Sequence, residues 1–273
     1  MMKTILVTGA SGNLGRAAVA ALENAGFTVR AASRDPQTLE NSVRFDYTDH
    51  TTHEPAINGA YGVLLIAPPL DADAPDKLNP AIDACKFLDV RHIVFISALG
   101  VYADEKSPLR IIERHLINSG VGYTIIRPNF FAENFTTGFL APMVASGMIC
   151  VAAGAGKTSF ISTADIAAVI SAAFSHGSHN RSHNLTGPAA LDYHEVATIL
   201  SQGLGKTVEY QPVSEEEMVQ DAIKDGLPAS IAQYLALLYS GVRNGWFEVV
   251  TDDVQQVTGL APRSLAEVVA RRP

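Results

Sequence analysis

The sequence has little of what several classes of protein require. Only two cysteines, Cys85 and Cys150, occur in 273 residues, which excludes a disulfide framework; we expect both to be buried thiols. No apolar run reaches the ~18 residues that a membrane-spanning helix needs. The net charge is −8, the pI is about 5.4 and no basic run is present, which argues against direct binding to nucleic acid.

Further absences narrow the class of protein. The first apolar strand begins a few residues after Met1 and leaves no length for a signal peptide, so we expect a cytoplasmic protein. The eight histidines show no ligand spacing, so no metal site is predicted. A chain of this length can form one large core with or without an appendage, and we expect a monomer or a homodimer.

The chain is organised around its first strand and the glycines that follow it. Apolar residues 5–7 predict a strand buried on both faces, and Gly9, Gly12 and Gly15 lead into helical spacing over residues 14–25. This order brings a helix N-terminus to the carboxyl edge of a sheet, where unpaired N–H groups and the helix dipole attract phosphate. The segment therefore predicts a dinucleotide site, although any α/β protein can contain a Gly-rich turn.

The second strand, predicted at residues 27–33, completes a βαβ unit and selects the cofactor. NAD-binding proteins usually carry an acid at the end of this strand, where this chain has Ser33 followed by Arg34. A guanidinium can hold the 2′-phosphate of NADPH with two hydrogen bonds, so NADPH is favoured over NADH. The alternative is an ordinary surface arginine whose charge Asp35 reduces.

Strands and helices alternate along the rest of the chain, which predicts an α/β fold with a doubly wound parallel sheet. Further strands are expected at residues 43–46, 62–67, 92–97, 121–126, 183–185 and 208–211. Further helices are expected at residues 51–58 and 76–88, after Ser107 as a cap, and from about residues 162, 193, 214, 228 and 264.

Several residues are expected at the carboxyl edge of this sheet. Asp46 and Tyr47 would lie beside the adenine, the segment 67–69 ends the fourth strand with two prolines, and Ser97 follows the fifth strand. All of these residues, Ser97 included, are predicted to contact the cofactor. The residues of segment 67–69 are Ala67, Pro68 and Pro69.

An aromatic segment follows the sixth strand and could form the wall of a pocket for a flat apolar substrate. It supplies Phe130, Phe131, Asn134 and Phe135, and the C-terminal part of the chain adds Tyr234 and Trp246. Ordinary core packing is the alternative for each phenylalanine.

The usual Ser, Tyr and Lys triad of short-chain dehydrogenases is not evident. Tyr102 and Lys106 have the Tyr-x-x-x-Lys spacing, but they precede the helix predicted at Pro108 and follow Ser97 too closely. We interpret this pair as a chance match and keep Ser97 and Tyr102 as weak catalytic candidates. The chemistry left is direct hydride transfer to electrophiles that need little proton assistance, such as quinones, iminium ions or cationic dyes.

The sequence resembles the NmrA-like atypical short-chain dehydrogenases over nearly its whole length. The likeness is strongest to the bacterial type 2 quinone oxidoreductases and the triphenylmethane reductases. The segments that carry it are 8–15, 33–36, 119–128, 129–134, 152–157 and 210–215, together with the turn 225–228.

The resemblance implies a Rossmann-type domain at residues 1–150 and a smaller, mostly helical region at residues 151–273 that covers the substrate. It implies NADPH as cofactor, with Arg34 at the 2′-phosphate and residues 128–133 along the nicotinamide, among them Pro128, Asn129 and Phe131. The phosphates would be held by Gly9, Ser11, Gly12, Asn13 and Leu14. Ala67, Pro68 and Pro69 stand where the quinone enzymes have a serine- and glycine-containing loop. The function implied is an NADPH-dependent quinone reductase, and the alternatives are a non-catalytic NADP(H) sensor or an iminium or dye reductase.

Overall fold

The computed structural model describes residues 3–36, 41–177 and 180–271. Seven strands form one sheet in the order β3-β2-β1-β4-β5-β6-β8, and each pairing described between them is parallel. Two further strands pair in parallel as β7-β9. The strands are β1 Thr4–Val7, β2 Thr28–Ser33, β3 Ser42–Arg44, β4 Gly62–Ile66, β5 His92–Ile96, β6 Tyr123–Pro128, β7 Met148–Val151, β8 Arg181–Leu185 and β9 Glu209–Pro212.

Helices connect these strands. They are α1 Asn13–Asn24, α2 His53–Ile57, α3 Ala74–Phe87, α4 Pro108–Ser119, α5 Ala141–Ser146, α6 Thr163–His176, α7 Tyr193–Leu204, α8 Glu215–Lys224, α9 Ala229–Arg243, α10 Asp253–Thr258 and α11 Leu265–Ala270. In the described ranges, no helix has the length and apolar character that crossing a bilayer requires. The predicted elements are present with shifts of a few residues at their ends.

The strand order reverses direction between β1 and β4. The chain moves outward from β1 to β2 and β3, and it then returns to place β4 on the other side of β1. Right-handed crossovers around such a reversal put helices on both faces of the sheet and open a crevice at the carboxyl ends of β1 and β4. The predicted fold class, a Rossmann-type doubly wound sheet, is confirmed.

Both faces of the central strands are buried, as their continuous apolar sequences predict. All five residues of β5 are buried, and α3 and α4 pack against each other beside a cluster that includes Leu6, Leu65 and Phe95. Gly62 makes room for the ring of Phe174, because a Cβ there would lie 2.6 Å from that ring. This packing gives the sheet the rigid frame that a site at its edge needs.

The chain separates into two compact units, which we call unit 1 and unit 2. Unit 1 comprises Met1–Pro128, Thr163–Leu185 and Asp253–Gly259; unit 2 comprises Asn129–Ser162, Thr186–Asp252 and Leu260–Pro273. These boundaries differ from the predicted single division after residue 150. The reason is that β8 returns to pair with β6, so part of the C-terminal half completes the first sheet.

Three local features differ from the sequence expectations. β7 was not expected from the sequence, because a four-residue strand that pairs only with β9 leaves little periodicity to detect. Ser107 occupies the N-cap position of α4, but its side chain makes no cap hydrogen bond among the described residues. Cys85 is buried as expected, whereas Cys150 is only partly buried.

A hydrogen-bonded group ties β1 to β4 at the carboxyl edge of the sheet. Thr8 Oγ1 donates to Leu64 O (2.9 Å) and accepts from the Ile66 amide (2.8 Å). The Tyr47 hydroxyl lies 2.8 Å from Thr8 Oγ1 and 3.1 Å from Ile66 O. Since Thr8 already donates to Leu64, the Tyr47 hydroxyl is the donor in its bond with Thr8. Burial raises the pKa of Tyr47 well above its ordinary value, so the hydroxyl keeps its proton.

We predict that Tyr47→Phe lowers the free energy of unfolding by about 1–2 kcal/mol, because it removes a partly buried hydrogen bond while the ring remains. Urea denaturation at neutral pH measures the difference. Tyr102→Phe is the control, since the Tyr102 side chain is 48% exposed and its variant should unfold like the wild type. Equal stability of all three proteins would contradict the role of this bond.

Candidate functional site

The glycine turn after β1 brings α1 close to the preceding strand. Gly9 has φ +61°, a conformation that favours glycine. A Cβ on Gly15 would overlap the Gly9 carbonyl oxygen and would lie 2.8 Å from Ala10 Cα, so the start of α1 packs directly on the turn. Gly12, in contrast, has φ −75° and an ordinary backbone conformation, and a Cβ there would meet only Gly9 O, at 3.4 Å. The fold itself therefore does not require glycine at position 12.

The N-terminus of α1 is open to a ligand. The N-cap position of α1 is Gly12, which has no side chain to cap the helix, and Ser11, Gly12 and Asn13 are exposed. Arg16 donates to the Ser11 carbonyl and to Asn13 Oδ1 (2.8 Å), which adds a positive charge beside the turn. Leu14 is buried, so only its amide can serve a ligand. Exposed N–H groups, the helix dipole and Arg16 together fit a phosphate group.

The end of β2 presents Arg34 to solvent. Ser33 Oγ donates to Asp35 O (2.8 Å) and accepts from the Asp35 amide (3.2 Å), which folds the chain into a tight turn. Arg34 and Asp35 are both exposed on this turn. An exposed guanidinium at this position suits a 2′-phosphate.

The two residues predicted beside the adenine are engaged within the protein. Asp46 Oδ1 accepts from the Thr48 amide (2.9 Å) and from Thr48 Oγ1 (2.8 Å), and these bonds hold the pKa of Asp46 below its ordinary value, with a smaller contribution from Arg34. The Tyr47 hydroxyl is bonded to Thr8, as described above. The structure therefore gives Tyr47 a supporting role behind the turn, in place of a direct contact through its hydroxyl.

The residues after β4 lie at the same edge of unit 1. Ala67 and Pro68 are partly buried, Pro69 is exposed, and Leu70 has φ +54°, so the chain turns sharply after the strand. The Ile66 side chain lies next to Gly9 and packs under the glycine turn.

A buried carboxylate, that of Glu113 on α4, organises the edge next to β5. Its side chain has no solvent exposure. Oε1 accepts from Ser97 Oγ (2.7 Å) and from Arg127 Nε (2.7 Å), while Oε2 accepts from Arg127 Nη2 (2.8 Å) and from Arg110 Nη1 (2.9 Å). Burial alone would raise the pKa of Glu113, but the bonds from Arg127, Ser97 and Arg110 outweigh it and the pKa is lowered. Glu113 is therefore ionised at neutral pH.

Tyr102 lies close to this group but not on a helix with Lys106. It belongs to a single 3₁₀ turn, Val101–Ala103, whereas α4 begins at Pro108. The Arg127 guanidinium carbon lies 5.1 Å from the centroid of the Tyr102 ring, a cation–π contact. Tyr102 and Lys106 therefore do not lie together on one helix face. This agrees with the interpretation of their spacing as a chance match.

In unit 2, the predicted cofactor residue Asn129 is used by the protein itself. Its side chain is buried; Nδ2 donates to Ser159 Oγ (2.7 Å) and Phe247 O (2.9 Å), and Oδ1 accepts from the Phe130 amide (2.8 Å). The Asn129 side chain is therefore engaged within unit 2, and the predicted contact of this residue with the cofactor stays a prediction. Pro128, which ends β6, is also buried.

The predicted substrate residues differ in their exposure. Phe135 is 1% exposed and packs on Phe160 and Tyr193, so it is a core residue, which was the alternative to a substrate contact. Phe130 and Phe131 are partly buried, and the Phe130 ring contacts Phe247 edge-on at 5.0 Å. Asn134 is partly buried and its amide donates to Phe131 O (3.1 Å), whereas Tyr234 and Trp246 are 41% and 63% exposed. Phe131 and these three residues remain predictions.

The sequence reasoning missed the role of Glu113 and Arg16. For Glu113 the available signal was a carboxylate on the apolar face of a helix. Its partners were not evident, because Ser97 follows β5 and Arg127 lies in β6. In the described residues, no group of three or more metal-ligating side chains is close enough to hold an ion.

The chain belongs to the NmrA-like family, whose sequence pattern matches residues 1–265. A curated relative, agroclavine dehydrogenase of Claviceps fusiformis, is 34% identical and covers 98% of this chain and 96% of its own. Among solved structures, the NADPH-dependent quinone oxidoreductase QOR2 of Escherichia coli, complexed with NADPH, has a TM-score of 0.86 at 27% identity, covering 97% of this chain and 98% of its own. The triphenylmethane reductase of Citrobacter sp., complexed with NADP(H), has a TM-score of 0.82 at 25% identity with the same coverage. The resemblance stated from the sequence is confirmed.

We predict that Glu113→Gln lowers the free energy of unfolding by about 3–5 kcal/mol at pH 7, because two arginines lose a buried carboxylate. A carboxyl whose pKa is lowered on folding stabilises the protein above its ordinary pKa of 4.5 and loses that effect as the pH falls through its folded-state value. The difference between variant and wild type should therefore shrink below about pH 4.5. Denaturant titrations across this pH range measure it.

Glu105→Gln is the control for this prediction. Glu105 also bonds Arg110, but its side chain is 58% exposed and its charge is screened by water, so its variant should lose far less stability than Glu113→Gln. Similar losses in the two variants would contradict a special role for the buried carboxylate.

Proposed function

We propose that this protein is an NADPH-dependent oxidoreductase that reduces quinones or other flat electrophilic acceptors by direct hydride transfer, without a Ser-Tyr-Lys triad. The observation that carries the proposal is the open N-terminus of α1 on a glycine turn at the point where the strand order reverses. The structural likeness to a quinone oxidoreductase and a triphenylmethane reductase, both solved with NADPH or NADP(H), supports it.

Different residues of unit 1 are proposed to bind different parts of the cofactor. The amides from Gly12 to Leu14, with Arg16 beside them, would hold the pyrophosphate, and Arg34 would meet the 2′-phosphate. Room at Gly12 would let the pyrophosphate approach the backbone. When bound, the reduced nicotinamide would supply the hydride.

The choice of acceptor follows from the proton donors at this edge. Ser97 gives its hydrogen to Glu113, and Tyr102 lies in a 3₁₀ turn that it does not share with Lys106. A ketone would need such a donor to protonate the alkoxide that forms. A quinone becomes a stabilised phenolate that can take its proton from water, so quinones suit this site better than simple ketones.

The acceptor is proposed to be a small apolar molecule. Phe131, Asn134, Tyr234 and Trp246 are the residues that we propose to contact it, since each keeps some exposed surface in unit 2. Phe130 would support this surface through its contact with Phe247.

We predict that the purified protein consumes NADPH in the presence of benzoquinones and naphthoquinones. Absorbance at the wavelength of reduced nicotinamide measures the rate, and Gly12→Ala is the matched variant. It should fold normally, because its Cβ meets a single atom at 3.4 Å, but its rate at limiting NADPH should fall at least about tenfold. Binding of NADPH with no turnover on any acceptor would contradict the enzyme and favour a redox sensor.

We predict that Arg34→Ala weakens NADPH binding by about ten- to a hundredfold while NADH binding changes little, because a charge-assisted contact with the 2′-phosphate is lost. Calorimetry of both nucleotides measures this. Arg44→Ala is the control: Arg44 is an exposed arginine on β3 whose partner is Asp49 at 3.4 Å, and its loss should leave both affinities unchanged. Equal losses for NADPH and NADH in Arg34→Ala would contradict the cofactor preference.

A further inference from the structure

The hydrogen-bond direction at Ser97 is fixed by its partner. An ionised carboxylate only accepts, so in the 2.7 Å contact with Glu113 the Ser97 hydroxyl must be the donor. A hydroxyl has one hydrogen, and once that hydrogen is given to Glu113 the oxygen can only accept from any other group. Ser97 is 5% exposed and follows β5 directly, at the carboxyl edge of the sheet.

The four bonds to Glu113 keep this direction from reversing. The carboxylate is held on both oxygens by Arg127 and on one by Arg110, so it cannot rotate away from Ser97 without losing charged partners. The arginines also keep it ionised, because they lower its pKa despite its burial. A protonated carboxyl would be needed to donate back to Ser97.

We infer that Glu113 is a positioning residue that makes Ser97 a hydrogen-bond acceptor, so that Ser97 receives a bond from an N–H or O–H group of the nicotinamide nucleoside and donates none to the acceptor molecule. This inference rests on the proposed function. It gives the predicted cofactor contact of Ser97 a direction, that of an acceptor, whereas the serine of a Ser-Tyr-Lys triad assists the substrate.

A glutamine at position 113 would reverse the polarity of Ser97. The glutamine amide has two possible orientations. With its NH₂ group in place of Oε2, this donor would face N–H donors of both Arg110 and Arg127; with its NH₂ group in place of Oε1, it would face only the N–H donor of Arg127 Nε. The second orientation is therefore favoured, and it donates to Ser97 and frees the serine hydrogen. In this variant the Ser97 hydroxyl would point its hydrogen at the N–H or O–H group of the nicotinamide nucleoside, and two donors would then oppose each other.

The experiment measures NADP⁺ affinity by calorimetry and kcat at saturating NADPH and naphthoquinone. Ser97→Ala should weaken NADP⁺ binding about five- to tenfold and change kcat less than about twofold. Ser119→Ala is the control, because Ser119 is a similarly buried serine on α4 whose hydroxyl bonds Leu116 O, and its affinity should match the wild type. A large fall in kcat with unchanged affinity in Ser97→Ala would overturn the inference, since it would mean that Ser97 assists the acceptor.

The double variant tests the role of Glu113. Glu113→Gln should weaken NADP⁺ binding about as much as Ser97→Ala, and Ser97→Ala/Glu113→Gln should show no further loss beyond about twofold, because both changes act on one hydrogen bond. Losses that multiply would show that Glu113 acts independently of Ser97 and would overturn its positioning role. Circular dichroism at the assay temperature first establishes that each variant is folded.

A cofactor analogue makes the test independent of whether Glu113→Gln folds. In the 3-acetylpyridine analogue of NADP⁺ a methyl group replaces the amide NH₂. If the carboxamide is the donor, Ser97→Ala should not affect the affinity for the analogue; if a ribose hydroxyl is the donor, the loss should persist. Either result supports the inference, and unchanged affinity for both nucleotides in Ser97→Ala overturns it. Wild-type protein that fails to bind NADP⁺ would instead overturn the proposed function itself.

Discussion

The close packing of α1 on the turn after β1 is the constraint on which the rest of the structure depends. Gly15 allows the helix to start against the Gly9 carbonyl, and this contact directs the first amides of α1 toward the edge where the strand order reverses. A helix that began one turn later would place its first amides about 5.4 Å farther from that edge. The ability of unit 1 to hold an anionic ligand follows from this packing and from the exposure of Ser11, Gly12 and Asn13.

Polar groups behind the edge hold it in place from two sides. Tyr47, Thr8 and Ile66 join the ends of β1 and β4, and Glu113 joins α4 to Ser97 after β5 and to Arg127 in β6. Thr8, Ser97 and Glu113 are buried and bonded within the protein, which is the condition for a polar side chain to be tolerated in a core, while Tyr47 and Arg127 are partly buried. The carboxyl ends of β1, β4, β5 and β6 are thus fixed by side-chain bonds as well as by the sheet ladder.

The sequence predicts the fold well where the signal is local. Strand periodicity gives the order of elements, and the helix starts near residues 193, 214 and 264 are correct because each begins with a capping box. Long-range pairing is not visible in this way. The return of β8 to β6 moves residues 163–185 into unit 1, which no local pattern indicates.

The candidate site could be predicted only in part, for a related reason. Gly9, Gly12 and Arg34 are exposed at the turn and the strand end where the sequence places them, and Gly15 is buried at the start of α1; their contacts with a cofactor stay predictions. Tyr47 and Asn129 have side chains that suit a ligand, but they bond instead to Thr8 and Ser159, which are distant in sequence. The sequence shows which hydrogen bonds a polar side chain can make, but the group that it bonds depends on the tertiary fold.

Hydrogen–deuterium exchange with and without NADP⁺ tests the central claim most directly. The proposed pyrophosphate site is formed by the first amides of α1, from Asn13 to Gly15, which follow the exposed N-cap residue Gly12. Their exchange should therefore slow at least about tenfold when NADP⁺ is bound, since the pyrophosphate would accept hydrogen bonds from them. Saturating NADP⁺ that leaves the exchange of these amides unchanged would contradict the account.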